Sequence, residues 1–226
     1  MRFYVTDLAS SGRELELPPD EAHHFARVLR GRVGDAVELF DGAGRSCAAE
    51  VLAVSKKAVS VRAEPLREDP PRTRLTTLYV APPKGDRFRW LVEKATELGV
   101  ATLTPIDTTR SVTDPGSTKL EKLRATSLAA CKQCGRNWTM QITESLSLDD
   151  ALKEAHGTRF WADAGSPPVG DIDESRDHVS IFIGPEGGWT DEERTLAHDA
   201  RCRPFSLGAH ILRTETAAIA AAARFA

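Results

Sequence analysis

The sequence predicts an α/β protein with two domains, a small β-rich domain over residues 1–70 and a parallel-sheet domain over residues 71–226. Up to the segment "REDPPRTR", short β-like stretches surround one helix. After it, strands alternate with helices of ten or more residues, a pattern typical of parallel α/β sheets. The connector itself, Glu68–Pro71, combines charge with a Pro-Pro pair and is expected to be stiff and extended.

The first domain is predicted to be a small β-barrel that carries one helix. The stretch "AVELFDGAGRSCAAEVLAVS" is typical of strand, glycine-rich turn and strand, and "AVSVRAEPL" of a further strand. A helix is predicted over residues 19–30, with Asp20 as its N-cap. Phe25, Val28 and Leu29 recur at helical spacing and are expected to form its buried stripe.

The second domain is predicted to contain five strands and four helices. The strands are "TLYVAPPK", "TLTPIDT", "RFWADA", "VSIFIG" and "RPFSLG". The helices are "RFRWLVEKATELGV", "STKLEKLRATSLAACKQC", a segment after Thr190, and the alanine-rich "TETAAIAAAARFA". Capping boxes are expected at Thr118 with Glu121 and at Thr190 with Glu193, because a Ser or Thr followed three residues later by Glu satisfies two free N–H groups.

Composition limits the classes of function. The chain has 226 residues, 41% hydrophobic and 28% charged, with a formal net charge of -3. This balance argues against a surface coated in positive charge and leaves room for a local basic patch. No apolar run is long enough to span a bilayer. The N-terminal stretch lacks the apolar core of a secretory signal, so a cytoplasmic protein is expected.

The spacing of the cysteines argues against a metal site. Cys131 and Cys134 form a C-x-x-C pair, while Cys47 and Cys202 stand alone, so no second ligand pair lies at zinc-site spacing. Structural cysteines are favoured over a metal or redox role.

Three loops are candidates for a binding site because ligands in open α/β sheets bind at the carboxyl ends of the strands. They are "FWADAGSP", "IFIGPEGGW" and "FSLGAHILRTE". Glycine-rich loops allow close approach to the backbone, although a tight turn without a ligand gives the same pattern. Neither a P-loop nor a G-x-G-x-x-G dinucleotide motif is present. A backbone-lined slot of this kind suits an adenosine-like ligand.

The motifs together resemble one family. "IGPEGGWTDEE" is followed by "SLGAHILRTETA" and preceded by "KGDRFRWLVEKATELGV", "TTRSV" and "CKQCGRNW". In this order they resemble the bacterial 16S ribosomal RNA uridine-N3 methyltransferases of the SPOUT superfamily. The N-terminal "HHFARVLRGRVGDAVELFDGAG" resembles that family's PUA-like RNA-binding domain. The resemblance covers essentially the whole chain.

The resemblance implies a deep trefoil knot at the C-terminal side of the sheet, with S-adenosylmethionine bound inside it mainly by backbone groups. It also implies a homodimer whose active site lies near the dimer interface. Residues 162–165 would form one wall of the cofactor slot. The other two walls would comprise Gly184, Pro185, Glu186, Gly187 and Gly188, and Ser206, Leu207, Gly208, Ile211 and Leu212.

Methyl transfer to N3 of a uracil requires the N3 proton to leave, and the resulting negative charge spreads onto O2 and O4. A base and a cation are therefore wanted near the acceptor. The segment "LRTET" offers Arg213 and Glu215 as catalytic candidates. Two structural alternatives remain open: Glu215 complements the helix dipole, or Arg213 pairs with it.

Arginines are the candidate RNA ligands. Arg110 and Arg136 fall in family-like stretches, and Arg27 and Arg30 lie on the helix of the first domain. The alternative is a solvated helix face. His210 departs from the family, which commonly has an arginine there.

The expected partner is 16S rRNA in an assembled or nearly assembled small ribosomal subunit, with no membrane and no metal. Two alternatives remain, a methyltransferase acting on another RNA such as tRNA and a non-catalytic RNA-binding relative.

Overall fold

The structure, a computed structural model, describes residues 1–8, 13–55, 58–70, 72–111, 116–170 and 177–226. The chain forms two compact units. The smaller one comprises Met1–Pro71 and Cys131–Thr139, and the larger one comprises Arg72–Ala130 and Met140–Ala226. Within the described residues, no helix is both long and apolar enough to cross a membrane.

The smaller unit contains one six-stranded sheet with the strand order β1-β3-β4-β5-β2, in which β6 also pairs with β4. The β1–β3 pair is parallel and the other pairs are antiparallel. The strands are β1 (Arg2–Tyr4), β2 (Glu14–Glu16), β3 (Ala36–Phe40), β4 (Arg45–Val54), β5 (Val59–Ala63) and β6 (Arg67–Glu68). Alternate residues of these strands supply an apolar core that includes Phe3, Leu39 and Val61.

The predicted helix of this unit is interrupted. The helix α1 covers Pro19–His23 and continues as a π-helical turn over His24–Val28. Pro18 is the N-cap and Asp20 lies inside the helix, so the predicted cap was wrong. Of the predicted stripe only Phe25 is buried, whereas Val28 is 61% exposed and Leu29 41%. A π turn winds more residues per turn than an α-helix, so it rotates the later side chains away from the core.

The segment Cys131–Thr139 packs within the smaller unit, although the sequence predicts it as part of the second domain. Arg2 donates hydrogen bonds to the carbonyl oxygen of Cys131, at 2.8 Å, and to the side chain of Asn137. Lys132 forms an ion pair with Glu21, a buried carboxylate on α1. These contacts join residues that are far apart in the sequence, so no local pattern could predict them.

The larger unit contains a seven-stranded sheet with the order β10-β8-β7-β12-β11-β13, in which β9 also pairs with β8. Every pairing is parallel, as predicted. The strands are β7 (Leu75–Val80), β8 (Thr102–Asp107), β9 (Gln141–Ile142), β10 (Leu146–Ser147), β11 (Thr158–Ala162), β12 (His178–Ile183) and β13 (Arg203–Phe205). The short strands β9 and β10 were not predicted.

In the described part of the larger unit, five helices accompany this sheet: α2 (Arg87–Glu97), α3 (Gly116–Cys134), α4 (Leu148–Glu154), α5 (Asp191–Asp199) and α6 (Thr214–Phe225). The capping box that opens α5 at Thr190 and Glu193 is confirmed. The one predicted at Thr118 is wrong, because α3 already begins at Gly116. The helix α4 was not predicted.

Helices cover both faces of the sheet. Side chains of β7 and β12 alternate between two apolar clusters, as a strand's period of two requires. Leu78 and Ile181 pack with residues of α2, α3 and α6, whereas Tyr79 and Phe182 pack with residues of α4 and α5. A parallel sheet covered in this way leaves its carboxyl ends as the place for a ligand. The trefoil knot itself stays a prediction.

Candidate cofactor and active site

A cavity of about 310 Å³ lies at the carboxyl ends of β11, β12 and β13. All ten residues predicted to bind the cofactor line it, together with Ala162, Asp163 and Ala164 of the predicted third wall. Their role in binding stays a prediction. The lining also contains side chains that the sequence did not single out: Ile183, Trp189, Arg194, Phe205, Thr214 and Ala217.

The glycine-rich loop over residues 184–188, called here the first loop, is packed against the protein's own side chains. A Cβ atom on Gly184 would lie 2.6 Å from the indole of Trp189, so only glycine fits. Trp189 stacks on Trp161 with ring centroids 3.8 Å apart. Its Nε1 donates a hydrogen bond of 2.9 Å to the carbonyl oxygen of Ala162. One indole therefore joins the ends of two strands and fixes the loop between them.

Arg110 holds the other end of the first loop. Its Nη1 donates a hydrogen bond of 2.7 Å to the carbonyl oxygen of Gly187. A Cβ atom on Gly187 would lie 3.3 Å from the Arg110 side chain, a tight contact. Gly188 has a φ of 70°, which favours glycine, and its N–H closes a turn onto the carbonyl oxygen of Pro185 at 2.9 Å. These hydrogen bonds and the φ of Gly188 therefore fix the loop in one defined turn conformation.

Hydrogen bonds fix the starts of α6 and α5 near this loop. Thr214, at the start of α6, donates from Oγ1 to the carbonyl oxygen of Gly184 at 2.9 Å. The buried carboxylate of Glu193 accepts from the N–H of Thr190 and from that of Thr109, each at 2.8 Å. These bonds satisfy backbone groups that a helix end or a loop otherwise leaves open.

The loop over residues 206–212, called here the second loop, is held by fewer contacts. The N–H of Ser206 donates to the carbonyl oxygen of Pro167 at 2.8 Å, and Leu207 packs against the core. Gly208 has a φ of 150°, and no atom lies within 4 Å of the position its Cβ would take. Ile211 is 87% exposed, and His210 is exposed beside the cavity.

Charged groups of both signs border the cavity. Arg194 donates from Nε to Asp163 at 2.8 Å and from Nη1 to the carbonyl oxygen of Trp189 at 3.0 Å. The hydrogen bond to Asp163 raises the pKa of the Arg194 guanidinium above its ordinary value. Glu186 extends from the first loop and pairs with Arg87.

The two catalytic candidates occupy different surroundings. Neither of them lines the cavity. Arg213 is the exposed N-cap of α6, and its side chain makes no hydrogen bond or ion pair with any described residue. Glu215 is buried, and its Oε1 lies 3.7 Å from Nε of Arg87. Its Oε2 is buried and has no hydrogen-bond partner among the residues described. The partner of Glu215 is therefore Arg87, which the sequence analysis did not single out.

The RNA candidates divide between the units. Arg27 and Arg30 are exposed in the smaller unit, and Arg136 is half-buried there. Arg110 belongs to the larger unit, where its guanidinium binds the first loop. The described part of the chain holds no group of three or more metal-ligating side chains. None of the four cysteines forms a disulfide in the described part of the chain; Cys131 is buried and Cys134 is exposed.

The cavity suits a small organic ligand with both apolar and polar parts. Its volume falls within the range of small-molecule sites. Ile183, Phe205 and Leu212 offer apolar surface, and the two loops offer backbone N–H and C=O groups. The carboxylates of Asp163 and Glu186 also line the cavity, paired with Arg194 and Arg87 respectively. This fold and site define a protein that binds an organic cofactor at the carboxyl ends of a parallel sheet.

Comparison with known proteins gives the family. The model of an RNA methyltransferase domain matches residues 70–226, and that of an RNA methyltransferase PUA domain matches residues 17–64. The chain therefore belongs to the RNA methyltransferase family to which the first of these models corresponds. This confirms the predicted fold class, with a PUA-like domain beside a methyltransferase domain.

The chain is also similar to individual proteins over nearly its whole length. It is 30% identical to the ribosomal RNA small subunit methyltransferase E of Rickettsia conorii, over 99% of this chain and 93% of that protein. The protein of that name from Neisseria gonorrhoeae, solved bound to S-adenosylmethionine, is 28% identical with a TM-score of 0.90, over 99% and 95%. A Legionella pneumophila structure with the same bound cofactor is 32% identical with a TM-score of 0.88, over 99% and 96%.

Proposed function

We propose that the protein transfers a methyl group from S-adenosylmethionine to N3 of a uridine in the 16S rRNA of the small ribosomal subunit. The observation that carries this proposal is the cavity formed by the first and second loops at the carboxyl ends of the parallel sheet. Relatives named as small-subunit rRNA methyltransferases match this chain over nearly its full length. The choice of uridine N3 rests on the motif resemblance.

S-adenosylmethionine, when bound, supplies an activated methyl group and a neutral leaving group. The residues that would hold it are those of the two loops and of the third wall. The hydrogen bonds of Trp189, Arg110 and Thr214 fix the first loop in advance. Such a preset geometry lowers the entropy cost of aligning the reacting groups.

Glu215 is the proposed base for the N3 proton. Its carboxylate is buried, with Oε1 beside Arg87 and no hydrogen-bond partner for Oε2 among the described residues. An unsatisfied buried acceptor is costly unless a ligand completes it, and an imide N–H would do so. Arg213, whose exposed side chain has no partner in the described part of the chain, is the proposed cation toward the charge that develops on O2 and O4.

RNA recognition is assigned to Arg27, Arg30 and Arg136 in the smaller unit and to Arg110 in the larger one. We place the substrate in an assembled or nearly assembled small subunit and the enzyme in the cytoplasm as a homodimer, as the resemblance implies. The alternatives, tRNA as substrate or a non-catalytic RNA-binding role, would both keep the same fold.

The test is methyl transfer to defined RNA. Small subunits from a strain that lacks the gene, free 16S rRNA and tRNA are each incubated with the protein and isotope-labelled S-adenosylmethionine, and nucleosides are analysed by mass spectrometry. We expect N3-methyluridine in the small-subunit sample. Label only in tRNA would support the first alternative. Absence of label together with no cofactor binding by calorimetry would support the second.

The role of Glu215 is tested separately with Glu215→Gln, which keeps the shape of the side chain. We expect unchanged cofactor affinity and a loss of about a hundredfold in the single-turnover rate, the scale of a positioned general base. Higher pH should partly restore the rate, because solvent then removes more of the N3 proton. A wild-type rate at neutral pH, with chemistry limiting, would make Glu215 a helix-end charge.

A further inference from the structure

Arg87 lies between two carboxylates that belong to different parts of the site. Its Nη1 pairs with Oε1 of Glu186, a residue of the first loop that lines the cavity. Its Nε lies 3.7 Å from Oε1 of Glu215 at the start of α6. The guanidinium of Arg87 thus connects the first loop with the proposed base.

Local sequence does not favour an arginine at position 87. It is the first residue of α2, where the helix dipole disfavours a cation. Asp86 makes no side-chain cap, and the first turn of α2 contains no acidic residue. The favourable partners of Arg87 come from residues 99 and 128 positions further along the chain. A locally unfavourable residue whose partners are supplied only by the tertiary structure is typical of a functional site.

The ion pair with Arg87 affects the two carboxylate oxygens of Glu215 differently. Its side chain is 10% exposed, one oxygen faces Arg87, and the other is buried without a hydrogen-bond partner among the described residues. The ion pair at 3.7 Å, longer than a hydrogen bond, draws Oε1 toward the guanidinium by charge attraction and leaves Oε2 as the oxygen that lacks a partner among the described residues. A planar guanidinium fork sets such an orientation better than an ammonium group does.

We propose that Arg87 is a positioning residue that orients Glu215 for proton removal from the acceptor base. Through its ion pair with Glu186, Arg87 also links Glu215 to the first loop. This inference rests on the proposed function, because it assigns a residue that acts through the proposed base. The link between Arg87 and the first loop predicts an effect on cofactor affinity, which can be measured without RNA.

The first experiment is a double-mutant cycle on the single-turnover methylation rate, with Arg87→Gln, Glu215→Gln and the double variant. Arg87→Gln alone should lower the rate by about tenfold or more and add almost nothing to Glu215→Gln, since residues that act as a unit are not additive. Arg87→Lys should recover part of the loss. Arg89→Gln is the matched control, an exposed arginine in the same helical turn, and should stay within about twofold of wild type. Losses that multiply would overturn the proposal.

The second experiment measures S-adenosylmethionine affinity by calorimetry for Arg87→Gln, Glu186→Gln and their combination. Arg87→Gln should weaken binding by about fivefold in the wild-type background and have little further effect beside Glu186→Gln. Unchanged affinity in Arg87→Gln, or independent losses, would overturn the link to the loop. Folding is checked by urea unfolding of each variant.

These readouts separate two failures. If the wild-type protein binds cofactor but methylates none of the RNAs, the proposed function fails while the binding cycle still decides the role of Arg87 at the loop. If the wild type methylates RNA and the rate cycle is additive, the proposed function stands and the positioning role is wrong.

Discussion

The two loops that form the cavity are built in opposite ways. In the first loop the space beside Gly184 is filled by Trp189, and the space beside Gly187 by Arg110. In the second loop the space beside Gly208 is open, and Ile211 lies almost fully in solvent. A glycine-rich loop therefore has two uses here. In one, glycine lets the protein's own side chains approach the backbone. In the other, it leaves room next to the cavity.

The difference predicts where a substitution harms the fold and where it harms binding. Changes at Gly184 or Gly187 must displace packed side chains, so they should lower both stability and cofactor affinity. A change at Gly208 meets open space, so it should act mainly on the ligand.

Gly184→Ala should have the largest effect on stability. The new methyl group would lie 2.6 Å from the buried indole of Trp189, which must move. We expect the free energy of unfolding to fall by about 2 kcal/mol, the scale of overpacking in a core, with cofactor affinity reduced as well. Urea unfolding and calorimetry measure the two. Gly165→Ala is the control, because no atom lies within 4 Å of its Cβ position. Equal stability of both variants would refute the packing argument.

Gly208→Val should reduce cofactor affinity more than stability. No atom lies within 4 Å of the Cβ position, but a φ of 150° disfavours a branched residue, and the side chain would lie at the cavity. We expect affinity to fall by tenfold or more and the free energy of unfolding by about 1 kcal/mol. Gly208→Ala shares the backbone strain with less bulk. If alanine weakens binding as much as valine, strain and not occupation of the cavity explains the loss.

Arg110→Ala decides between two uses of one arginine. Losing the hydrogen bond to Gly187 should weaken cofactor binding by about fivefold, the scale of one exposed hydrogen bond. If Arg110 also contacts an RNA phosphate, the salt dependence of RNA binding should flatten by about one unit. Arg136→Ala, in the other unit, is expected to flatten that slope without changing cofactor affinity. A normal affinity with a flattened slope for Arg110→Ala would make it an RNA ligand alone.

Ile211→Ala should have the smallest effect on stability. A side chain that is 87% exposed contributes little to the core, so the free energy of unfolding should change by less than about 0.5 kcal/mol. Leu212→Ala, at a half-buried neighbour, provides the comparison and should cost more. A loss above about 1 kcal/mol for Ile211→Ala would show that the second loop is packed in solution.

The sequence determined the architecture of the larger unit and the location of its cavity. Buried runs separated by helical periods predicted parallel β7, β8, β11, β12 and β13, because local patterns of two and 3.6 residues distinguish strands from helices. All ten proposed cofactor residues lie around one cavity because the carboxyl ends of parallel strands meet at the same edge.

Local patterns were insufficient where several conformations fit the same residues. The stripe of Phe25, Val28 and Leu29 had the right spacing for an α-helix, and only the π-helical turn decided that two of the three face solvent. Local sequence likewise placed Arg213 and Glu215 two residues apart, a spacing that suggested a pair. In the structure they face different surroundings, because Arg213 is the exposed N-cap and Glu215 points into the protein.

What only the tertiary structure decided are the contacts between distant segments. Trp189 in the space of Gly184, Arg110 on the carbonyl oxygen of Gly187, and Arg87 beside Glu215 depend on how strands and helices are brought together. Periodicity and turn chemistry are set by neighbours along the chain, so they are readable from sequence. The partner of a buried carboxylate is set by whichever cation the folded chain places within a few ångströms.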